Sequence, residues 1–204
     1  MHSSVRSALV VLLLGAVAAP LAAQDIRPIS RGPERAGFWW GFGLGAASTK
    51  VECDGCVTID KETFPTLDLR FGGTLSPRLR LGVEVTGGAK KDAFWQDPAI
   101  TENVGNVNVS AYFYPSASGN FWLQGGLAGV VYSAKDNNNK LDAVASGLIL
   151  GLGYDLRFGR NGSITPSLRF VGGGKSDLKD QNNAVVLSGW KTSYAQVGVA
   201  VMFH

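Results

Sequence analysis

A period of two runs through this chain from Phe38 to its end, and it restricts the fold more than any other feature. Leu67-Asp68-Leu69-Arg70-Phe71 alternates apolar with charged residues, and Leu79-Arg80-Leu81-Gly82-Val83-Glu84-Val85 repeats the pattern. Val107-Asn108-Val109-Ser110-Ala111 and the stretch from Leu148 to Phe158 follow it, and Val197 to Phe203 alternates apolar with mostly small residues. Side chains alternate across a strand, so each segment carries one oily face and one polar or small face. No stretch of comparable length keeps a helical period.

The pattern predicts eight strands, over 38–48, 65–75, 79–90, 104–114, 121–133, 143–158, 164–174 and 189–203. Their connections alternate in length. Short turns fall at Ser76 to Arg78, Pro115 to Asn120 and Gly159 to Ser163. Longer polar stretches fall at Thr49 to Phe64, Lys91 to Asn103, Ala134 to Asp142 and Lys175 to Ser188. Tight turns on one side and long loops on the other are the pattern of a transmembrane barrel. The expected fold class is therefore all-β: an eight-stranded antiparallel up-and-down transmembrane β-barrel spanning residues 38–204. An even strand count returns both termini to one side, the periplasmic one.

The first residues agree with export. Arg6 precedes an apolar or small run from Ala8 to Ala19, and Ala22-Ala23 stand before Gln24-Asp25. That is the layout of a signal peptide over 1–23, and the run is too short to span a bilayer as a helix. About 180 residues remain, enough for one domain. Residues 24–37, with Pro28 and Pro33, read as a periplasmic tail or a partial plug. Without Arg6 the chain has 18 Lys and Arg against 16 Asp and Glu, and no basic run suggests nucleic acid.

The inward face carries the candidate site. Asp68, Arg70, Arg80, Glu84, Asp155, Arg157 and Arg169 all fall on the non-apolar face. A soluble barrel hides its apolar face inside, whereas a membrane barrel shows it to lipid. Folding the chain about Ser76-Pro77-Arg78 places Arg70 opposite Glu84, an attractive cross-strand pair. The next hairpin places Asp155 diagonal to Arg169. These residues are expected to form a network of paired charges in the lumen. Gly41, Gly43, Gly45, Gly151 and Gly153 share that face and leave room for long arginines. Trp39, Trp40, Phe113, Tyr114, Phe121, Phe158 and Phe203 gather near one set of strand ends. Phe64, Phe94, Trp95, Tyr132 and Trp190 gather near the other, as two interfacial aromatic bands would.

On these features the chain resembles the small outer-membrane barrels of the OmpA/OmpX-like type, from about Phe38 to His204. The most specific piece is the last strand. Val197, Val199, Val201 and Phe203 look like the C-terminal signal read by barrel-assembly machinery, although the family pattern ends on the aromatic residue and His204 follows here. The resemblance implies insertion among the lipids of a Gram-negative-type outer membrane and a structural, adhesive or narrow porin-like role. One architecture hosts many functions, so it does not choose among them.

Little else points to chemistry. Cys53-Asp54-Gly55-Cys56 lacks the helix start of a thioredoxin-like pair, and the chain has only His2 and His204 to complete a zinc site. In an exported protein a small local disulfide is the reading, with redox or metal roles as alternatives. Gly172-Gly173-Gly174-Lys175-Ser176 has Arg169 where a phosphate loop needs its first glycine. Asp136 to Asp142 has oxygen ligands at calcium-like intervals but puts Lys140 at a ligand position. His204, at the very end, is poorly placed to act as a general base. The reading is non-enzymatic, with no cofactor and no metal. The alternative is a soluble periplasmic or secreted lipocalin-like barrel with an apolar lumen for a small ligand.

Overall fold

The computed structural model describes residues 35–54, 61–91, 99–136, 139–159 and 161–204. The readings for 1–34, and those placed on Cys56, Phe94 and Trp95, lie outside these residues.

Alternation along the chain becomes alternation across one closed sheet. The strands are β1 (Gly37–Glu52), β2 (Glu62–Ser76), β3 (Leu79–Lys91), β4 (Thr101–Phe113), β5 (Phe121–Lys135), β6 (Lys140–Tyr154), β7 (Leu156–Phe158), β8 (Gly162–Gly173), β9 (Ser176–Asp180) and β10 (Val185–Phe203). β7 continues β6 beyond an interruption at Asp155, and β9 continues β8 beyond Gly174-Lys175. The ten segments thus make a ring of eight antiparallel strands. Neighbours pair in chain order, β6 pairs with β8, and β10 pairs with both β8 and β1 to close the ring. Closure leaves no edge strand among the described residues to recruit another chain.

Strands reach further toward the loop end than the sequence reading placed them. β2 begins at Glu62 and β6 at Lys140, and Ser176–Asp180 pairs with the start of β10 inside a stretch read as loop. Polar residues there read as loop by composition, yet a strand leaving an apolar layer has no need of alternation. At the end of β5 the Asp136 carboxylate accepts from the Asn139 backbone N–H at 2.6 Å, just before β6 begins. In the β9–β10 turn the Asp180 carboxylate accepts from the backbones of Asn182 and Ala184, with Asn183 in the left-handed region.

The exterior is oily. Leu44, Leu67, Leu127, Leu148 and Val197 point outward, and Leu127 is 70% exposed. On β5 the outward apolar series runs from Phe121 to Val131. Ten steps of about 3.3 Å, tilted by about 40°, give a band roughly 25 Å high. An exterior of this kind is stable in lipid and not in water.

The aromatics divide between the two faces. Trp40, Phe113, Phe121, Tyr154 and Phe158 point outward at the short-turn end, and Trp40 stacks on Phe203 at 4.6 Å. Trp39 and Tyr114, read from the sequence as part of this band, turn into the lumen. The band expected at the loop end is corrected likewise, because Phe64, Tyr132 and Trp190 are all buried inside. Parity explains it: each occupies the inward position of its strand.

Candidate functional site

The lumen is filled in three layers. At the short-turn end Trp39, Tyr112, Tyr114, Trp122, Ala200 and Met202 pack together, with Tyr112 edge-on to both Trp39 and Trp122. At the loop end an apolar cluster includes Phe64, Val104, Val130, Tyr132, Ile149 and Trp190. The sequence reading placed polar groups throughout the interior; the loop-end half is mixed, with this apolar cluster beside buried Thr49, Thr192 and Glu102, the last accepting from the Tyr132 hydroxyl at 2.7 Å. Between the two lies the charged layer.

That layer joins opposite walls. β2 supplies Asp68 and Arg70, β3 supplies Glu84, and β8 supplies Arg169. Arg70 stands across from Glu84 in the β2–β3 register. Its Nε donates to Asp68 Oδ2 at 2.7 Å and lies 3.5 Å from Glu84 Oε1. Arg169 reaches across the lumen with Nη2 on Asp68 Oδ1 at 2.8 Å and Nη1 on Glu84 Oε2 at 3.1 Å. Two carboxylates and two guanidinium groups, each no more than 2% exposed, balance in charge. Gln124 and Asn108 donate to the remaining lone pairs of Glu84, at 3.1 and 3.3 Å, and the Tyr112 hydroxyl donates to Oε1. Buried charges are tolerated when paired and hydrogen-bonded; in this layer Arg169 Nε is left without a partner.

Inward glycines make this fit. A Cβ on Gly43 would lie 2.9 Å from Asp68 Oδ2, and one on Gly151 would lie 2.9 Å from Arg169 Cγ. Both contacts are tighter than a real Cβ tolerates, so a bare backbone faces each charged side chain.

Asp155 belongs to a separate cluster, which corrects its expected approach to Arg169. It lies between the Gly153–Ser167 and Leu156–Ile164 pairs, beside Thr165, whereas Arg169 faces Gly151. Arg169 therefore sits four residues farther along β8 than the neighbour of Asp155. Asp155 accepts instead from Trp122 Nε1 at 3.1 Å, Thr165 Oγ1 at 3.0 Å and the Tyr114 hydroxyl at 2.9 Å. Arg80 Nη1 donates to the same tyrosine at 3.2 Å and stands 4.0 Å from Asp155. Arg157 is half-buried on β7 at this mouth.

Sequence reasoning missed Arg35. It is buried, its guanidinium lies 3.7 Å over the Tyr114 ring, and Nη1 donates to the carbonyls of Pro77 and Ala117 at 3.1 and 2.8 Å. Nη2 donates to the Gly119 carbonyl. One side chain thus ties two turns together and covers the mouth. No periodicity marks such a residue; its only signal is an arginine just before the first strand. His204 closes the other side, with its N–H donating to the Asn161 carbonyl at 2.9 Å and Nε2 lying 3.1 Å from Ser163 Oγ. Burial, and next the Arg80 guanidinium, lower its pKa from the usual 6.5 to about 4.

The other sequence candidates are dispersed. Val197, Val199, Val201 and Phe203 lie on the outward face of β10, and Cys53 is half-buried just after β1. Lys175 pairs with Asp54 at 2.7 Å.

No family model and no curated protein matches this sequence. Solved structures do match its shape. Neisserial surface protein A superposes with a TM-score of 0.51 at 15% identity, covering 79% of this chain and 96% of that one. The outer-membrane protein AlkL, determined in lipid bilayers, superposes at 0.54 with 13% identity, covering 89% and 96%. The fold is that of the small outer-membrane β-barrels. In such a barrel eight strands leave an interior just wide enough for side chains to fill, as the three layers here do.

Proposed function

We propose that the chain is an integral outer-membrane protein with a lumen closed by side chains, which acts through its outer wall and loops rather than as a wide pore or an enzyme. The observation that carries this reading is the inversion of faces: an apolar band outside, and a charge-balanced layer between two packed clusters inside. The cavity among Trp39, Arg70, Arg80 and Asp155 has a volume of about 10 Å³, at the limit of what one water needs. The apolar exterior weighs against a soluble ligand carrier.

Several finer features belong to the same proposal. Residues 1–23 direct export and are removed. The short-turn end, with both termini, faces the periplasm, and the loops face outward. Val197, Val199, Val201 and Phe203 are presented to the assembly machinery before the ring closes. Cys53 and Cys56 form a disulfide that shortens the first loop.

The test is a gel comparison of boiled and unboiled protein from a washed outer-membrane fraction, followed by planar-bilayer recording. The expected result is a shifted unboiled band and no stable open channel. Recovery in the soluble fraction without a shift overturns the barrel reading, and a steady conductance overturns the closed lumen.

A further inference from the structure

The outer wall is not smooth. A groove of about 1210 Å³ runs along the loop-side half of β1 to β5, lined by Leu44, Leu67, Val85, Gly87, Gly105 and Val131 among others. Its floor is bare backbone. Gly87 and Gly105 are direct register partners on the outward face, and a Cβ built on Gly87 would meet nothing within 4 Å. The β2–β3 ladder also stops at Thr66–Gly88, although β2 runs on to Glu62 and β3 to Lys91. Pro65 accounts for this. Its carbonyl faces β3, where it would lie 2.5 Å from a Cβ on Gly88. N and O of one strand residue face the same neighbour, and proline has no N–H to donate.

Directly above the groove stands a basic row. Lys91 pairs in register with Thr101, Thr101 with Lys135, and Lys135 with Lys140. All four occupy outward positions. Lys91 is two residues beyond the groove-lining Ala89, and Lys135 is four beyond Val131. Lys91 and Lys135 are exposed and have no carboxylate partner among the described residues. Other lysines at this end are answered in part: Lys50 and Lys191 share Glu52 and Lys90 holds Glu62, while Lys61 and Lys179 stand exposed but outside this row. Like charges at facing positions, as at Lys135 and Lys140, repel unless an anion lies between them; Asp142 answers Lys140 alone, at 2.7 Å.

An oily slot below bare ammonium groups at the edge of the apolar band matches an anionic amphiphile. Resting on the outer-membrane reading, we propose that this face binds a membrane lipid with a phosphate headgroup. The phosphate sits on Lys91 and Lys135, and one acyl chain lies over Gly87 and Gly105. Ammonium groups at the membrane surface attract such headgroups, and the missing side chains let a chain approach the backbone closely.

The experiment uses the full folded chain in neutral detergent, titrated with phosphatidic acid or phosphatidylcholine of identical acyl chains and read by native mass spectrometry. The wild type is expected to retain phosphatidic acid about tenfold better. Lys91→Gln with Lys135→Gln should bring the two lipids to parity, whereas Lys50→Gln with Lys191→Gln removes equal charge and should change nothing. Gly87→Leu puts a side chain into the slot, with a Cβ that meets nothing within 4 Å, and should reduce retention of both lipids. The proposal is overturned if the wild type shows no preference, if both lysine pairs act alike, or if Gly87→Leu has no effect. An unboiled gel shift is read on each sample. A shifted wild type without the preference refutes lipid recognition alone; an unshifted wild type refutes the barrel reading and this site with it.

Discussion

Replacing Glu84 by Gln removes one of the two carboxylates that neutralise Arg70 and Arg169, and keeps the side chain's size. The lumen is then left with one uncompensated positive charge, and the Arg169 Nη1 contact at 3.1 Å loses its ionic partner. Breaking a buried pair from one side costs about 3–5 kcal/mol. Arg169→Gln breaks the same pair from the other side, strands a negative charge, and should cost a similar amount. The double variant restores neutrality, because Asp68 and Arg70 still meet at 2.7 Å. Its cost should fall short of the sum of the singles by about 2–3 kcal/mol, within the range seen for residues sharing one network. Equilibrium urea unfolding in phosphatidylcholine vesicles, followed by tryptophan fluorescence and the gel shift, measures all four proteins. Additivity within about 0.5 kcal/mol would refute the balanced-layer argument, since it would mean that the two side chains do not sense each other.

Three other outcomes follow from the ends of the barrel. Arg35→Ala should lower stability by about 1–3 kcal/mol through lost charge-assisted hydrogen bonds, and should speed hydrogen exchange in the 115–120 turn; unchanged exchange there would show that Arg35 does not hold the mouth. His204 should titrate near pH 4 by NMR. Because this value lies below the unfolded 6.5, the unfolded state takes up the proton first, so the docked end loses stability as pH falls from about 6.5 to 4; a titration near 6.5 would contradict the buried placement. Reduction of the purified protein should add two hydrogens, detected by mass, and alkylation without prior reduction should label neither Cys53 nor Cys56.

The fold was legible because lipid and lumen are opposite solvents, so strict alternation reports directly which way each side chain points. Asp68, Arg70, Arg80 and Glu84 sit in clean alternating runs, and their inward direction could be read off. The Arg70–Glu84 register was legible as well, because Pro77-Arg78 makes a tight turn. The next hairpin misled, since a glycine-rich turn does not reveal where pairing resumes; it resumes at Phe158–Gly162, which sets Arg169 against Gly151. The loop-end half of the lumen was hidden for another reason. Val130 and Val131, or Val104 with Val107, are apolar on both faces, so the period fades where the interior turns oily. Residue type alone points Tyr132 and Trp190 to the lipid interface, although their parity sends them inward.

The layering bears on how the barrel fixes its register. Its outer face contacts fluid lipid, which fits an apolar side chain at many heights and so specifies little. The inner face must supply the specificity. Arg169 on β8 holds Asp68 on β2 and Glu84 on β3, and β2 and β8 are separated in the ring by β1 and β10. A one-residue slip of β8 would turn Arg169 into lipid and Phe170 into the charged layer. A two-residue slip keeps the face but moves the guanidinium about 6.6 Å along the strand, beyond reach of both carboxylates. In one direction it would also place Arg169 opposite Ile149, whose side chain would meet its stem; in the other it would face Gly153. The apolar clusters on either side exclude water that could solvate a stranded charge, so each slipped register carries the full cost of an unpaired ion. A buried ion pair adds little net stability, but here it discriminates sharply between one register and its neighbours.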